Sequence, residues 1–575
     1  MKKIIAAILL ICFQFNFAQK MKIRYELTNG KETSTYGEVI DFWKNLDQKS
    51  EKIKLFEKGP TDSGYPLHLA IIGNSGESDI AKIKQQNKLV ILIQNGIHPG
   101  EPDGIDASML LARDIADGTV ILPDNVVLAV IPVYNIGGFL KKSPNYRVDQ
   151  NGPYYKSPRG NAQNLDLNRD YIKADSKNAK SFTQIFHEID PDIMIDNHVS
   201  NGADYQHIMT IVSSQHSKAG GELGEYMNKV FEPAMYRLMR EKNYDLIPYV
   251  DVWGTSPDNG WREFFDSPRY SSGYGTLWST FCFVPETHML KPYNQRVEAT
   301  YQLMLSFIDF GKENSKEIIS IRKNTREKEK AAKTFPVRWK HNPDKFQEFL
   351  YKGYQAGSKK SEVSGLDRLY YDRSKPFEKM VSIYNTYDVE ISVEKPMAYI
   401  IPQGWWKVIE RLQLNGVQMS RLEKDSEFEV ETYRITDYKS AQTAFESHHL
   451  NSDAVLEKSI EKITFRKGDW YIPMDQTANR FLIETLEPQS IDSYFAWNFF
   501  DGIFQQKEGF SAYAFEDIAA DYLKDHPEIR QQLEEKKKSD PEFAKNAYAQ
   551  LNFVYENSPW IEPEFKKYPV YRLMP

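Results

Sequence analysis

Three residues in two separate segments have the side chains and the spacing of a zinc site. His98 and Glu101 form a His-x-x-Glu pair in the segment NGIHPGEP, and His198 lies at the end of a predicted buried strand in the segment DIMIDNHV. Two imidazoles and one carboxylate can hold zinc while leaving a fourth position open, which is the arrangement of zinc hydrolases. Asp196 lies two residues before His198, so its side chain is predicted to point to the same side of a strand.

Two further segments carry side chains suited to binding anions and moving protons. The segment RGNAQNLDLNRD at 159–170 contains Arg159 and Arg169, and a guanidinium group is a fixed fork of donors for a carboxylate or an oxyanion. Taken alone, this segment is more typical of a solvated loop. Glu286 follows the apolar segment FCFVP, where it is either an ordinary surface carboxylate or a base whose pKa is tuned by its surroundings.

The elements that must position these residues are predicted to be strands and helices in alternation. The segments 88–94 and 125–134 are almost continuously apolar, as in strands that are covered on both faces, and 192–199 and 281–285 are predicted to be further strands. Amphipathic helical segments lie between them, so the sequence predicts an α/β fold with a mixed, mostly parallel central sheet flanked by helices. Open α/β sheets bind ligands at the carboxyl ends of their strands, where the segments carrying His98 and His198 end.

In order and spacing, these motifs resemble those of the zinc metallocarboxypeptidases of the carboxypeptidase A type. The resemblance covers about 96–286, within a similar domain of about 21–320. It implies that His98, Glu101 and His198 bind one zinc ion per chain. It also implies an enzyme that hydrolyses C-terminal peptide bonds, with a peptide bearing a free C-terminal carboxylate as its partner.

The same resemblance implies a role for each residue of the other two segments. Asp166 would support a zinc-bound imidazole, and Asn168 with Arg169 would hold the terminal carboxylate of the substrate. Arg159 has the spacing of the oxyanion-stabilising arginine in the carboxypeptidase D/E-like branch. Glu286 lies where the family keeps the carboxylate that serves as general base and then as general acid.

The sequence departs from the family in the region expected to define specificity. Asn135-Ile136-Gly137-Gly138 stands where the family usually has Asn-Pro-Asp-Gly. For the tyrosine that covers the substrate in the family, the first choice is Tyr270 and the second is Tyr274. These departures leave the side-chain preference of the enzyme open.

Two alternatives to a carboxypeptidase remain at this point. A zinc amidase or deacylase of the same superfamily, acting on N-acyl amino acids or peptidoglycan stem peptides, would also carry the Asp-x-Asn-Arg motif. A binding protein without catalytic activity on the same fold is the second alternative. The carboxypeptidase is favoured because the ligands, the supporting aspartate, the arginines and the candidate base are all present together.

Charge and the first residues of the chain bear on partners and compartment. The formal net charge is −7 without a basic stripe, which argues against nucleic acid as the main partner. Lys2 and Lys3 precede an apolar run that ends at Ala18, so residues 1–18 are predicted to be a signal peptide and the protein to be exported, periplasmic or extracellular. Later apolar segments are too short to cross a membrane.

The chain is predicted to divide into a catalytic domain and a second region. The zinc carboxypeptidase-like domain is expected at 19–320, followed by a charged linker at 321–340 because 323–333 is a run of charged residues. Residues 341–575 are predicted to form a smaller accessory α/β region with a helical C-terminus. Its residues have no spacing that indicates chemistry, so its role stays open.

Overall fold

A computed structural model describes residues 21–575, and the predicted signal peptide therefore lies outside the described residues. The chain forms two compact units. The first comprises the described residues up to Ala331, together with Trp339–Glu390 and Leu414–Gly416, and the second comprises Ala332–Arg338, Ile391–Gln413 and Val417–Pro575.

A mixed sheet is the framework of the first unit. The first nine strands of the described residues are, in chain order, β1 (Ile53–Pro60), β2 (Pro66–Gly73), β3 (Leu89–Asn95), β4 (Val126–Ile131), β5 (Ile193–Ser200), β6 (Met209–Ser213), β7 (Ile247–Pro248), β8 (Trp261–Arg262) and β9 (Phe281–His288). Within the described residues, eight of these form one sheet in the order β1-β2-β4-β3-β5-β9-β6-β7, and β8 lies outside it.

The centre of the sheet is parallel. Strands β4, β3, β5 and β9 run parallel to one another, whereas the pairs β1–β2, β2–β4 and β9–β6 are antiparallel. Every residue of β3 and β4 is buried, as expected for apolar strands that are covered on both faces. The predicted fold class is therefore confirmed.

Helices cover both faces of this sheet. In chain order, they are α1 (Arg24–Leu27), α2 (Tyr36–Lys49), α3 (Ile80–Gln85), α4 (Asp103–Ala116), α5 (Ile136–Phe139), α6 (Lys177–Ile189), α7 (His216–Ala219), α8 (Gly221–Tyr226), α9 (Glu232–Glu241), α10 (Ser271–Thr276) and α11 (Tyr293–Ala331). Ile105 of α4 and Phe307 of α11 belong to the same hydrophobic core as Ile91 and Leu128 of the sheet. Burial of this shared core fixes the two helices on the strands that carry the site.

The long helix α11 extends beyond the predicted domain boundary at residue 320. Its last turns occupy the first half of the predicted linker 321–340, and strand β10 (Thr334–His341) follows. Lys, Glu, Arg and Ala are strong helix formers, so the charged run continues the helix.

A long β-hairpin of the first unit comes from the region that the sequence assigned to the accessory part. It consists of β11 (Gln347–Lys360) and β12 (Asp367–Tyr384), and β12 pairs in parallel with β8. Tyr351 and Ile383 of the hairpin share a small hydrophobic core with Tyr205 and Trp261. Strand β13 (Tyr387–Glu394) follows the hairpin.

The second unit contains its own sheet and a helical C-terminal part, as predicted. Its strands are β14 (Ala398–Ile401), β15 (Ser420–Arg421), β16 (Ser426–Ser440), β17 (Asn451–Phe465), β18 (Trp470–Pro473) and β19 (Tyr571–Leu573), in the order β15-β18-β14-β19-β16-β17. Its helices are α12 (Trp406–Leu414), α13 (Asn479–Leu486), α14 (Ala512–Asp525), α15 (Pro527–Ser539), α16 (Pro541–Ala544) and α17 (Ala547–Glu556). Among residues 21–575, no helix has both the length and the apolar character needed to span a bilayer.

Gly104, near the start of α4, allows that helix to approach the centre of the sheet closely. A Cβ atom at this position would lie 2.4 Å from Asn197 Cβ and 2.5 Å from Asn95 Oδ1. We therefore expect Gly104→Ala to lower the free energy of unfolding by about 1–3 kcal/mol, the usual cost of overpacking, as measured by chemical denaturation.

Gly37, near the start of α2, provides the matched control. A Cβ atom there would meet nothing within 4 Å, so Gly37→Ala should be neutral or raise stability by up to about 1 kcal/mol. Equal effects of the two substitutions would contradict the close approach at Gly104.

Candidate active site

The three predicted zinc ligands meet at the carboxyl ends of β3 and β5. The ligand atoms of His98, Glu101 and His198 lie within 4.8 Å of one another, and all three residues are buried. His98 and Glu101 lie in the turn that follows β3, whereas His198 lies on β5 itself. The backbone N–H of Val199 donates to Glu101 Oε2 at 2.9 Å, which ties the turn to the neighbouring strand.

Both imidazole rings are oriented by carboxylates on their outer side. His98 Nε2 lies 2.9 Å from Asp166 Oδ1, and His198 Nε2 lies 3.0 Å from Asp196 Oδ2. Each ring therefore directs its Nδ1 atom towards Glu101, at 3.4 Å from His98 and 3.1 Å from His198. Histidines that bind metals are usually held through their second nitrogen in this way.

The donor set fits a zinc ion. The buried Nδ1 atom of His98 has no hydrogen-bond partner within residues 21–575, and such a buried polar atom is costly unless something satisfies it. Burial acts to raise the pKa of Glu101, but Arg147 and the two imidazoles hold that pKa well below its usual range. Two nitrogen atoms and an ionised carboxylate thus face a common point, with the chemistry of a three-ligand zinc site.

Arg147 is a residue of the site that the sequence analysis missed. Its Nη1 donates to Glu101 Oε1 at 2.7 Å, and its Nη2 donates to the carbonyl oxygen of Val199 at 3.1 Å. The guanidinium group thereby balances the charge of the buried carboxylate and fixes the end of β5. Arg147 lies in none of the segments singled out as motifs, and only the fold brings it to Glu101.

The predicted anion-binding segment lies beside the metal ligands. Asp166 accepts hydrogen bonds from Arg159 Nε at 2.8 Å and from the backbone N–H of Asn168 at 2.8 Å, where it caps a short 3₁₀ turn. Burial acts to raise the pKa of Asp166, but His98, Arg159 and Arg169 lower it overall. The negatively charged carboxylate of Asp166 therefore interacts with the imidazole of His98 and with the guanidinium groups of Arg159 and Arg169.

Asn168, Arg169 and Tyr270 form one wall of the site. The Arg169 guanidinium lies 4.5 Å from the centre of the Tyr270 ring, and its Nη1 donates to the carbonyl oxygen of Asn168 at 2.7 Å. The backbone N–H of Ser271 approaches Asn168 Oδ1 at 3.4 Å. This wall presents amide and guanidinium donors beside an aromatic ring, which suits a carboxylate.

Strand register places Glu286 beside the predicted metal ligands. In the parallel pair β5–β9, Glu286 lies opposite His198. Burial raises the pKa of Glu286 to about 8, and Glu101 acts in the same direction, while His198 and Arg159 oppose it. A carboxyl group with a pKa near neutrality can both accept and return a proton.

All eight predicted site residues line one cavity of about 260 Å³. They are His98, Glu101, Arg159, Asn168, Arg169, His198, Tyr270 and Glu286. Tyr274, the second choice for the covering tyrosine, is buried in α10 and is not among the lining residues described. The sequence analysis missed an aromatic and apolar part of the lining, formed by Val212, Tyr249, Trp253, Phe264 and Val284.

Comparison with known proteins gives matches to carboxypeptidases. Residues 39–228 match the sequence profile of the zinc carboxypeptidase family. Carboxypeptidase 2 of Trichophyton rubrum is 21% identical over 451 residues, which cover 73% of this chain and 76% of that protein. Carboxypeptidase 2 of Trichophyton equinum is 21% identical over 452 residues, with the same coverage of 73% and 76%.

Solved structures of carboxypeptidases align with about half of the chain. Carboxypeptidase A of Helicoverpa armigera aligns with a TM-score of 0.35 and 14% identity, over 51% of this chain and 73% of that one. A metallo-carboxypeptidase of Pseudomonas aeruginosa aligns with a TM-score of 0.37 and 12% identity, over 49% and 69%.

Substitution of a metal ligand gives a direct test of the site. We expect the wild-type chain to bind one zinc ion and His198→Ala to lose stoichiometric zinc, because two remaining ligands cannot hold the ion tightly. Metal analysis of the purified proteins after dialysis measures this. His187→Ala removes a half-buried histidine of α6 outside the triad and should keep its zinc, whereas full zinc in His198→Ala would place the metal elsewhere.

Proposed function

Since the chain belongs to the zinc carboxypeptidase family through residues 39–228 and is a peptide-bond hydrolase, we propose that it removes C-terminal residues from peptides. The observation that carries this proposal is a single cavity. In it, the buried triad of His98, Glu101 and His198 lies together with Arg169 and Glu286. Metal ligands, a carboxylate-binding group and a base are the three components that an exopeptidase of this kind requires.

The triad would hold one zinc ion. When bound, zinc supplies a Lewis acid for a carbonyl oxygen, acidifies water and favours the ionised form of the nearby Glu286 carboxyl. Asp166 and Asp196 keep the two imidazoles oriented with Nδ1 towards the common point. Arg147 keeps the Glu101 carboxylate ionised and in place.

The C-terminal end of the substrate is bound by the Asn168–Tyr270 wall in this proposal. The Arg169 guanidinium and the Asn168 side chain donate to the two oxygens of the terminal carboxylate, and Tyr270 covers them. A guanidinium binds a carboxylate through two parallel hydrogen bonds. This pairing contributes affinity for the substrate and also fixes the position of the scissile bond.

The chemical step is divided between Glu286 and Arg159. Glu286 accepts the proton of the attacking water and then passes it to the nitrogen of the departing amino acid. Arg159 is held by Asp166 through Nε. Its remaining N–H groups donate to the carbonyl oxygen of the scissile bond and stabilise the negative charge that develops there. The same carboxyl group therefore serves as base and acid in turn.

Substrates with and without a free C-terminus test the exopeptidase assignment. We expect peptide amides to be hydrolysed far more slowly than the free acids, because the Arg169 guanidinium would lose its anion. Arg169→Ala should remove most of this discrimination by raising KM, whereas substitution of the exposed Arg237 on α9 by Ala should not.

Two outcomes would support the alternatives. Equal cleavage of amides and acids by the wild-type enzyme would support the amidase, and zinc binding without turnover on any amide would support the binding protein.

Substitution of the candidate base tests the mechanism. Glu286→Gln keeps the shape of the side chain but cannot accept a proton, so kcat should fall by about 10²–10⁴-fold while zinc is retained. Arg159→Ala should lower kcat by about 10²–10³-fold, as loss of an oxyanion donor does. Steady-state kinetics with metal analysis on the same samples measures both.

Glu263→Gln is the matched control for the base. Burial raises the pKa of Glu263 well above its usual range, so a neutral amide is a good substitute, and Glu263 is not among the cavity residues described. We expect near-normal turnover. The reverse result, an active Glu286→Gln and an inactive Glu263→Gln, would move the role of base to Glu263.

The compartment is part of the same proposal. The predicted signal peptide at 1–18 supports export to the periplasm or the extracellular space. A peptidase there would meet peptides with free C-termini outside the cytoplasm.

A further inference from the structure

One wall of the active-site cavity contains an exposed tryptophan. Trp253 lines the cavity together with the metal ligands, yet 57% of its surface is exposed. Large aromatic side chains that remain exposed at the edge of a cavity are typical of binding surfaces, because their faces gain most from being covered by a ligand. Trp253 plays no part in the proposed chemistry, so its position calls for another role.

We propose that Trp253 binds the substrate on the acyl side of the scissile bond, and that the enzyme therefore prefers peptides with an aromatic or large apolar residue before that bond. This inference rests on the proposed function and adds a substrate class to it.

Two neighbouring residues orient the Trp253 ring. Its Nε1–H donates to Asp251 Oδ1 at 3.0 Å. Its other edge lies over Gly202, where an added Cβ atom would be 3.8 Å from two ring atoms. Gly202 has a φ of +103°, which an L side chain rarely adopts. A ring that is already ordered loses little conformational entropy when a ligand covers it.

The loop 249–260 that carries Trp253 is fastened at several points within the first unit. Trp261 Nε1 donates to the carbonyl oxygen of Tyr249 at 2.8 Å. From the β-hairpin, the hydroxyl of Tyr371 donates to the carbonyl oxygen of Thr255 at 3.1 Å, and Lys379 Nζ donates to that of Asp258 at 2.7 Å. The hairpin therefore acts as a support for this wall of the cavity.

The contacts of Trp253 indicate which part of the substrate it meets. The wall that would hold the terminal carboxylate is formed by Asn168, Arg169 and Tyr270, which contact one another. Trp253 instead lies against Gly202, four residues after the metal ligand His198. With the terminal carboxylate at Arg169 and the scissile carbonyl at the triad, the preceding residues continue beyond the triad, where the segment after β5 and Trp253 lie.

The polarity of the surroundings favours an apolar side chain at this position. Val212, Tyr249 and Phe264 line the same cavity as Trp253 and add apolar and aromatic surface. The indole N–H is already used by Asp251, so the ring offers only its apolar face.

Two peptide series test this inference. In the first, the C-terminal residue is fixed and the preceding residue is Phe, Leu, Ala or Lys; in the second, the preceding residue is fixed as Ala and the C-terminal residue varies. Wild-type enzyme should favour Phe and Leu in the first series. Trp253→Ala should reduce kcat/KM for the Phe peptide relative to the Ala peptide by about tenfold, mainly through KM, and leave selectivity in the second series unchanged.

Three variants serve as controls. Trp253→Phe should retain most of the preference, because an aromatic face remains. Tyr371→Phe, which removes only the bond to Thr255, should weaken the preference partly and raise KM without loss of zinc, as expected for a positioning residue. Trp406→Ala removes a tryptophan of the second unit that is 61% exposed and should change nothing.

The outcomes separate this inference from the proposed function. Hydrolysis of free-acid peptides with no dependence on the preceding residue, or a Trp253→Ala effect that follows the C-terminal residue, would overturn the role of Trp253 and leave the carboxypeptidase intact. A zinc-loaded wild-type enzyme that hydrolyses no peptide of either series would overturn the proposed function, and this inference with it.

Discussion

The buried carboxylate of Glu101 is the charge around which the site is organised. An ionised carboxylate away from water costs several kcal/mol unless opposite charge and hydrogen bonds compensate it. Here the compensation comes from the Arg147 guanidinium, the backbone N–H of Val199 and the two imidazoles. These groups belong to separate segments of the chain, so satisfying one carboxylate brings together the turn after β3, the end of β5 and the segment that carries Arg147.

The parallel centre of the sheet makes this arrangement possible. Because β3, β5 and β9 run side by side in the same direction, the turn after β3, the candidate metal ligand His198 on β5 and Glu286 on β9 meet at one edge. The register that places Glu286 opposite His198 is fixed by the apolar residues of both strands, since a shift by one residue would reverse every side chain. Core packing thus determines the distance between a metal ligand and the candidate base.

The parts of the fold and of the candidate site that could be predicted are those marked by residues close together in the sequence. Strands β3 and β4 are almost continuous apolar runs, and His98, Glu101 and His198 stand at or just after the ends of β3 and β5 with the spacing of zinc ligands. Arg147 and Trp253 could not be found in this way, because their roles depend on contacts with residues distant in sequence. The hairpin was assigned to the accessory region for the same reason: only the pairing of β12 with β8 shows where it belongs.

Asp166 accepts hydrogen bonds from both His98 and Arg159. One carboxylate therefore orients a candidate metal ligand and also the arginine that we propose to act on the reacting carbonyl. In thermodynamic terms, the two side chains are coupled through a shared anion, so the energetic effects of altering them are not independent. Under the proposed function, metal affinity and stabilisation of the developing charge are therefore coupled through Asp166, and selection on either property acts on both.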